Sequence, residues 1–402
     1  MTKKHRALLA IVIGVFLGFV LSSSNEFFFS PTTTHLNLNT NDEILKKIQE
    51  KYIEALDFSD FSQESTEKVL TQLDEHSEFL SEQEHQDIIN AAKGIYSGVG
   101  IKIYEDEATI KVSHVFNNSP ADRAGIMLGD EIVKINAKEI TFNNFVNTLK
   151  MFEGNKSSEI ELIIQREGTK EELNFNMFRE DVSVPSTYAE IMASNYCYIK
   201  IDVFNNNTEI EINDVLSDKC TIIDANKQQI QGFIIDVRNN PGGTLEAAVA
   251  VSDLFLNEGV IVSARGRDNK LMFTYSANQD DIADGLPMAI IVNKKSASAA
   301  EIFASAMQDN NRAIVVGVNT YGKGSIQEVI PLSRGGAIIL TTARYYRPSG
   351  NPITSSGIRP DIKIVDYNYF KGSKYNSIID VKKDIQLSQT IDILQKNKDY
   401  YQ

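Results

Sequence analysis

Two hydrophobic periods alternate along the chain, and each change of period marks a change of structural unit. From residue 41 to about 93 apolar residues recur at three- and four-residue steps. Ile44, Leu45, Ile48, Tyr52 and Leu56 form one stripe behind Asp42, a residue suited to capping a helix, and Val69, Leu70 and Leu73 mark a second helix over roughly 65–73. At Gly94 the period becomes two. Ile101–Ile103 and Thr109–Val112 read as strands. Ser119-Pro120-Ala121-Asp122-Arg123-Ala124-Gly125 reads as a short helix ended by glycine, and 131–135 as a further strand. A helix over 142–151 and a hairpin from 159–165 and 172–178 complete this unit.

Beyond residue 181 strands and helices alternate. The run 287–292 is apolar at every position, and 232–237 and 312–318 are apolar apart from Asp236 and Arg312, as strands buried on both faces are. Helical spacing separates them over 209–220 and 245–255, so the fold class expected is α/β, in an α+β multi-domain chain. The divisions expected are a leader or membrane anchor at 1–24, a tether at 25–40, a helical region at 41–94, a β-domain at 95–180, an α/β core at 181–367 and a helical tail at 368–402.

The leader differs from everything after it. Lys3, Lys4 and Arg6 precede fifteen uncharged residues, 7–21, and then three serines. Fifteen apolar residues are short of the roughly twenty a spanning helix needs. Cleaved or retained, the segment directs the rest out of the cytoplasm, to a periplasmic or other extracytoplasmic space, and if uncleaved it tethers the chain to the inner membrane. The net charge of −14 argues against nucleic acid as a partner. Cys197 and Cys220 lack zinc-site spacing; an oxidising compartment would allow a disulfide, and two separate buried thiols are the other reading.

All five histidines precede residue 115, so acid–base chemistry built within the α/β core falls to Lys, Asp, Glu or Tyr. Three segments there suit acyl transfer. Asn239-Asn240-Pro241-Gly242-Gly243 ends a buried strand and lets backbone N–H groups face outward, as an oxyanion hole requires. Ser296-Ala297-Ser298-Ala299-Ala300-Glu301 is a strand-to-helix junction, where unpaired N–H groups favour an anion and the Ala299 N–H is a second donor. The small side chains of Ala299 and Ala300 leave room for a substrate backbone, and Glu301 is expected to face solvent or an ion pair. Thr320-Tyr321-Gly322-Lys323-Gly324 holds a lysine between glycines; to act as a base its pKa must fall by roughly three units, about 4 kcal/mol, through desolvation.

Together these motifs resemble the C-terminal processing (tail-specific) serine peptidases. That family carries a serine in an S-A-S-A-x-E-I element and, 25 positions later, a lysine in T-x-G-K-G-x-x-Q; here 323 − 298 = 25, which selects Ser298 over Ser296. Leu73-Asp74-Glu75-His76-Ser77 stands where the family shows L-D-P-H-S, and 344–350 and 357–361 resemble its closing strands. Residues 95–180 are similar to a circularly permuted bacterial PDZ domain, on the strength of S-P-A-x-x-A-G-I followed by G-D-x-I-x-x-I-N at 119–136.

The resemblance implies a ClpP/crotonase-like core with an inserted PDZ domain and a Ser298–Lys323 dyad whose amine Gln327 orients. Gly242 or Gly243, with Ala299, would form the oxyanion hole, without metal or organic cofactor. Gly98, Val99, Gly100 and Ile101 would be the loop receiving a peptide carboxylate, and the partners would be proteins or peptides with accessible C-termini. The helices of 41–94 are read as packing or as the contact of a homodimer. Two other function classes stand beside this one: a non-catalytic PDZ scaffold or chaperone, and a crotonase-like thioester enzyme.

Overall fold

The computed structural model describes residues 38–56, 69, 72–106, 109–140, 148, 151–152, 154–192, 194–218, 220, 230–365 and 384–396. The expected leader, most of the tether, the helix over 65–73 and the helix over 142–151 lie wholly or largely outside them. Among the described residues no helix is long and apolar enough to cross a membrane.

The N-terminal stripe forms α1 (Leu38–Lys51), which begins four residues ahead of Asp42, so Asp42 sits inside the helix instead of capping it. Ile44, Ile48 and Tyr52 are buried, as the spacing requires. A short strand β1 (Glu78–Leu80) leads into α2 (Glu82–Ala92). Ser81 caps α2 through a reciprocal pair with Glu84, each accepting the other's backbone N–H.

The period-two region gives β2 (Ile95–Gly98), β3 (Ile101–Asp106), β4 (Thr109–Val115), the short helix α3 (Pro120–Ala124), β5 (Glu131–Ile135), β6 (Lys138–Glu139), β7 (Glu159–Gln165), β8 (Leu173–Phe178) and β9 (Glu180–Ser183). Ser119 caps α3 and Gly125, left-handed at φ 87°, ends it. Five strands lie in the order β3-β4-β5-β7-β8, with β6 on β5, while β2 pairs with β9 and ties the ends of the region together. The inward positions of β7, Ile160, Leu162 and Ile164, are fully buried with Val112 and Ile135 in a core of their own.

The remainder comprises β10 (Thr187–Ile191), β11 (Tyr196–Ile201), α4 (Thr208–Asp218), β12 (Gly232–Asp236), α5 (Leu245–Asp253), β13 (Val260–Arg265), β14 (Leu271–Ser276), β15 (Met288–Val292), α6 (Ala299–Asp309), β16 (Ile314–Gly317), β17 (Ser325–Pro331), β18 (Ala337–Tyr346), β19 (Ile362–Lys363) and α7 (Ile385–Lys396). One sheet runs β10-β11-β12-β15-β16-β19, parallel except for β10 at its edge. Alternate residues of its central strands serve two cores. Phe233, Ile235, Met288 and Ile290 pack against α4, α5 and α6 through Ile212, Val251, Ile302 and Phe303. Ile234, Ala289, Ile291 and Val316 pack against Leu387, Ile391 and Leu394 of α7.

Two buried faces explain why β15 carries no polar residue and β12 only Asp236 at its end, and they change the standing of the C-terminal segment. The helix expected there is a full layer of the core and not an appendage, each of its buried leucines contributing about 1.5–3 kcal/mol. Arg238, itself buried, fastens it by spanning Asp236 and Asp384.

A second sheet runs β1-β18-β13-β14, with β17 also on β18, and α1 covers it, Ile44 and Ile48 meeting Ile330, Ile338 and Leu340. The N-terminal helix thus packs within its own chain. Of the two readings of the cysteines the disulfide is the one found: Cys197 on β11 is bonded to Cys220 beyond α4, with 5.7 Å between Cα atoms.

Candidate active site

Where β15 ends, the turn of residues 293–297 delivers the chain to α6 with Ser298 at the junction. Ser298 has φ 53° and ψ −115°, a backbone conformation that L-residues adopt only under constraint. The constraint comes from Glu301. Its side chain is fully buried, and its Oε2 accepts the Ser298 N–H at 2.8 Å and the Lys323 N–H at 2.9 Å. Its Oε1 accepts the Gly322 N–H at 2.7 Å and the Thr320 hydroxyl. One carboxylate therefore fixes both candidate chemical segments. The expectation that Glu301 faces solvent or an ion pair is overturned, because four donors converge on it in the interior. Burial pushes its carboxyl above the usual range, and the bonds from Thr320, Ser298, Gly322 and Lys323 oppose that shift.

Ser298, Lys323 and Gln327 line one cavity of about 710 Å³, together with Gly243. Burial draws the Lys323 amine below the ordinary lysine range, against the charges of Asp74, Glu78 and Glu301. A depressed amine alone would not identify a base. Lys295 is held near 8 by burial, yet it does not line the cavity. Among the described residues the Lys323 amine has no hydrogen-bond partner. Gln327, read as its orienting group, uses its amide NH₂ on the hydroxyls of Ser325 at 2.9 Å and Thr341 at 3.0 Å, which leaves its carbonyl oxygen as the acceptor.

The two glycines divide their work. The Gly242 N–H donates to Asn240 Oδ1 at 2.8 Å, and a Cβ at this position would meet Ser298 Cβ at 2.8 Å. Gly243 lines the cavity, and among the described residues neither its N–H nor that of Ala299 has a protein acceptor. Gly243 tolerates no side chain, since its Cβ would lie 1.8 Å from the Phe204 carbonyl oxygen. The methyl groups of Ala299 and Ala300 pack in the core and do not open room for a substrate, contrary to expectation.

Tracing acid–base groups by domain missed part of the site. His76 and Glu78, from the N-terminal region, line the same cavity. Burial and then the charge of Lys323 lower the His76 imidazole, against Glu75 and Asp74, and its Nδ1 is buried with no partner among the described residues. The family-like element at 73–77 is the signal that pointed here.

Cavity walls also come from α2 (Asp87, Ile88), from β2 (Ile95, Tyr96, Ser97) and from Gly154 and Asn155 of the β-domain, so the cavity runs from the Ser298 junction to the region of β2–β9. The expected carboxylate loop lies there: Gly98 to Ile101 border a small apolar void of about 20 Å³ with Phe116, Phe152 and Val182. Gly100, at φ 78°, crosses Ser119 so closely that a Cβ would sit 2.2 Å from the serine Cβ. Neighbouring β3 is an edge of its sheet.

A profile for peptidase family S41 matches residues 195–364, and one for the PDZ domain matches 97–177. A carboxy-terminal-processing protease of Bartonella bacilliformis is 32% identical over 361 residues, 89% of this chain and 82% of that one. Carboxy-terminal processing protease CtpB of Bacillus subtilis is 28% identical over 330 residues, 80% and 67% of the two chains. In fold, the photosystem II D1 C-terminal processing protease superposes with a TM-score of 0.54 at 23% identity, covering 81% of this chain and 92% of that one.

Proposed function

Because the chain belongs to peptidase family S41, the carboxy-terminal-processing proteases, and is accordingly a serine peptidase with a PDZ domain, we propose that it cleaves exported proteins near their C-termini with Ser298 as nucleophile and Lys323 as base. The observation that supports this most strongly is the Glu301 carboxylate, which clamps the backbone of both residues at one cavity.

In this mechanism neutral Lys323 takes the Ser298 proton as Oγ attacks the scissile carbonyl carbon. The oxyanion receives the N–H groups of Gly243 and Ala299, already oriented before charge develops. The ammonium gives its proton to the leaving amine as the C–N bond breaks. Water then attacks the acyl-enzyme, passing a proton to the amine, and the ester bond to Oγ breaks as Oγ takes that proton back. Gln327, through its carbonyl oxygen, turns the amine toward the serine.

The division proposed is a PDZ-like unit at 95–180 inserted ahead of a peptidase core at 181–367. A substrate tail adds as a strand along the open edge of β3, its carboxylate at the loop 98–101, and its upstream residues reach Ser298 through the shared cavity. The Cys197–Cys220 bond supports an oxidising, extracytoplasmic location, where structural disulfides persist. Mass spectrometry of an unfolded exported protein incubated with the full chain tests the reading: truncated C-terminal products accumulate with wild type and vanish with Ser298→Ala and Lys323→Ala. Turnover by Ser298→Ala at the wild-type rate overturns it.

A further inference from the structure

A neutral lysine amine carries two hydrogens and one lone pair. For the lone pair to meet the Ser298 hydroxyl, the two N–H bonds need fixed acceptors, since a free amine rotates through all three positions. On the mechanism proposed above, the Gln327 carbonyl oxygen is one acceptor. Resting on the Ser298–Lys323 reading, the geometry points to His76 as the second: a positioning residue whose Nδ1 accepts an N–H of the Lys323 amine.

Four observations carry this. His76 and Lys323 line the same cavity. The His76 Nδ1 is buried and unpartnered among the described residues, and a buried polar atom left without a partner is rare enough to require a cause. Among the described residues the Lys323 amine is likewise a donor without a partner. The turn that carries His76 is also pinned to the strand pair that carries Gln327. Asp74 accepts the Ser77 hydroxyl at 2.6 Å and the Thr341 hydroxyl at 2.6 Å, and Ser77 Oγ accepts the Thr341 N–H at 3.0 Å. Thr341 Oγ1 in turn accepts the Gln327 amide at 3.0 Å. Thr341 on β18 thus holds both acceptors in one frame.

The tautomer agrees. His76 Nε2 faces the Glu75 carboxylate at 3.8 Å, which favours the proton on Nε2 and leaves the lone pair on Nδ1. The charged groups around the pair are Asp74, Glu75 and Glu78 from the N-terminal segment and Glu301 from α6. Burial and the neighbouring lysine keep the imidazole neutral, as an acceptor must be.

The test is hydrolysis of an internally quenched peptide by the full chain carrying His76→Leu or His76→Asn, with circular dichroism melting to verify folding. Asparagine returns an acceptor near the Nδ1 position; leucine does not. His76→Leu is expected to lower kcat by about 100-fold, the scale of a misplaced catalytic group, with KM changed less than about 3-fold. His76→Asn is expected to recover about 10-fold or more of that loss. The acid limb of kcat/KM reports the base of the free enzyme. It should move to lower pH in His76→Leu, because the ammonium loses an acceptor and gives up its proton more readily.

Wild-type kcat in His76→Leu overturns the inference. So does a limb that stays or moves upward, and so does His76→Asn as slow as His76→Leu with both melting normally, which would make the imidazole a proton carrier. Should His76→Leu fail to fold, His76→Asn decides: near-wild-type kcat supports the inference and a loss of about 100-fold overturns it. Retained activity in Lys323→Ala would instead indict the dyad itself.

Discussion

Replacing Glu301 with glutamine changes almost nothing in volume and removes one acceptor oxygen. In the wild type two oxygens serve four donors: the N–H groups of Ser298, Gly322 and Lys323, and the Thr320 hydroxyl. Glutamine keeps one oxygen, and whichever way the amide is turned its NH₂ is set against a pair of those donors. If it faces Ser298 and Lys323, two buried N–H groups lose their acceptor, at about 1–3 kcal/mol each, or about 2–6 kcal/mol together. The interior cannot supply water to compensate, since the side chain is fully buried. The cheapest relief is for the Ser298 junction or the segment at 322–323 to move, and both carry candidate catalytic groups. At about 1.4 kcal/mol per tenfold, even the lower figure withdraws about 30-fold of activity. The assay is kcat on a peptide substrate beside far-ultraviolet circular dichroism melting, a suitable probe because the chain has no tryptophan. Glu301→Gln with kcat within about 3-fold of wild type and an unchanged melt would refute the reasoning.

Gly243→Ala should lower kcat by about 100-fold or more with KM little changed. Its Cβ would lie 1.8 Å from the Phe204 carbonyl oxygen, so the loop must shift and take the proposed oxyanion donor with it; unaltered kcat contradicts this. The Asp236 carboxyl is raised by burial but lowered more by Arg238 and Lys200 and by bonds from Arg238 and Tyr198, and it settles at about 2 against an ordinary 3.8. A depressed acid stabilises the fold above its unfolded pKa and stops doing so as pH falls through the folded one. About 2 kcal/mol is therefore present above roughly pH 4 and lost toward pH 2. Melting temperature against pH should be flatter over that window in Asp236→Asn, and an identical slope would exclude this source.

Periodicity located the strands well because β15, and β12 as far as Asp236, are apolar for a reason that acts along the strand: both faces are covered. The candidate nucleophile, base and Gln327 were legible through the resemblance to the family's motifs and their spacing, and all three line one cavity. Glu301 was not legible. An acidic residue in the first turn of a helix is favoured there even when exposed, and its burial depends on donors that arrive some twenty residues later in the chain. His76 was passed over for a related reason. The elimination of histidine went by domain, whereas Asp74 and Ser77 bind Thr341 across 267 and 264 residues of sequence. Long-range hydrogen bonds of this kind leave no periodic trace. Asp42 misled in a simpler way: it is a good cap, but the helix started earlier.

The cavity draws its wall from residues 76–97, from 154–155, from 203–204, from 243–246, from Ser298 and from 323–345. During synthesis, then, the ribosome releases the serine long before the strand that completes its surroundings. A nascent chain stopped anywhere short of β18 has the hydroxyl but lacks Thr341, the residue on which the N-terminal turn and Gln327 both hang. An unfinished copy therefore has no fixed seat for either group, and the wall of the cavity is complete only once β18 has been made.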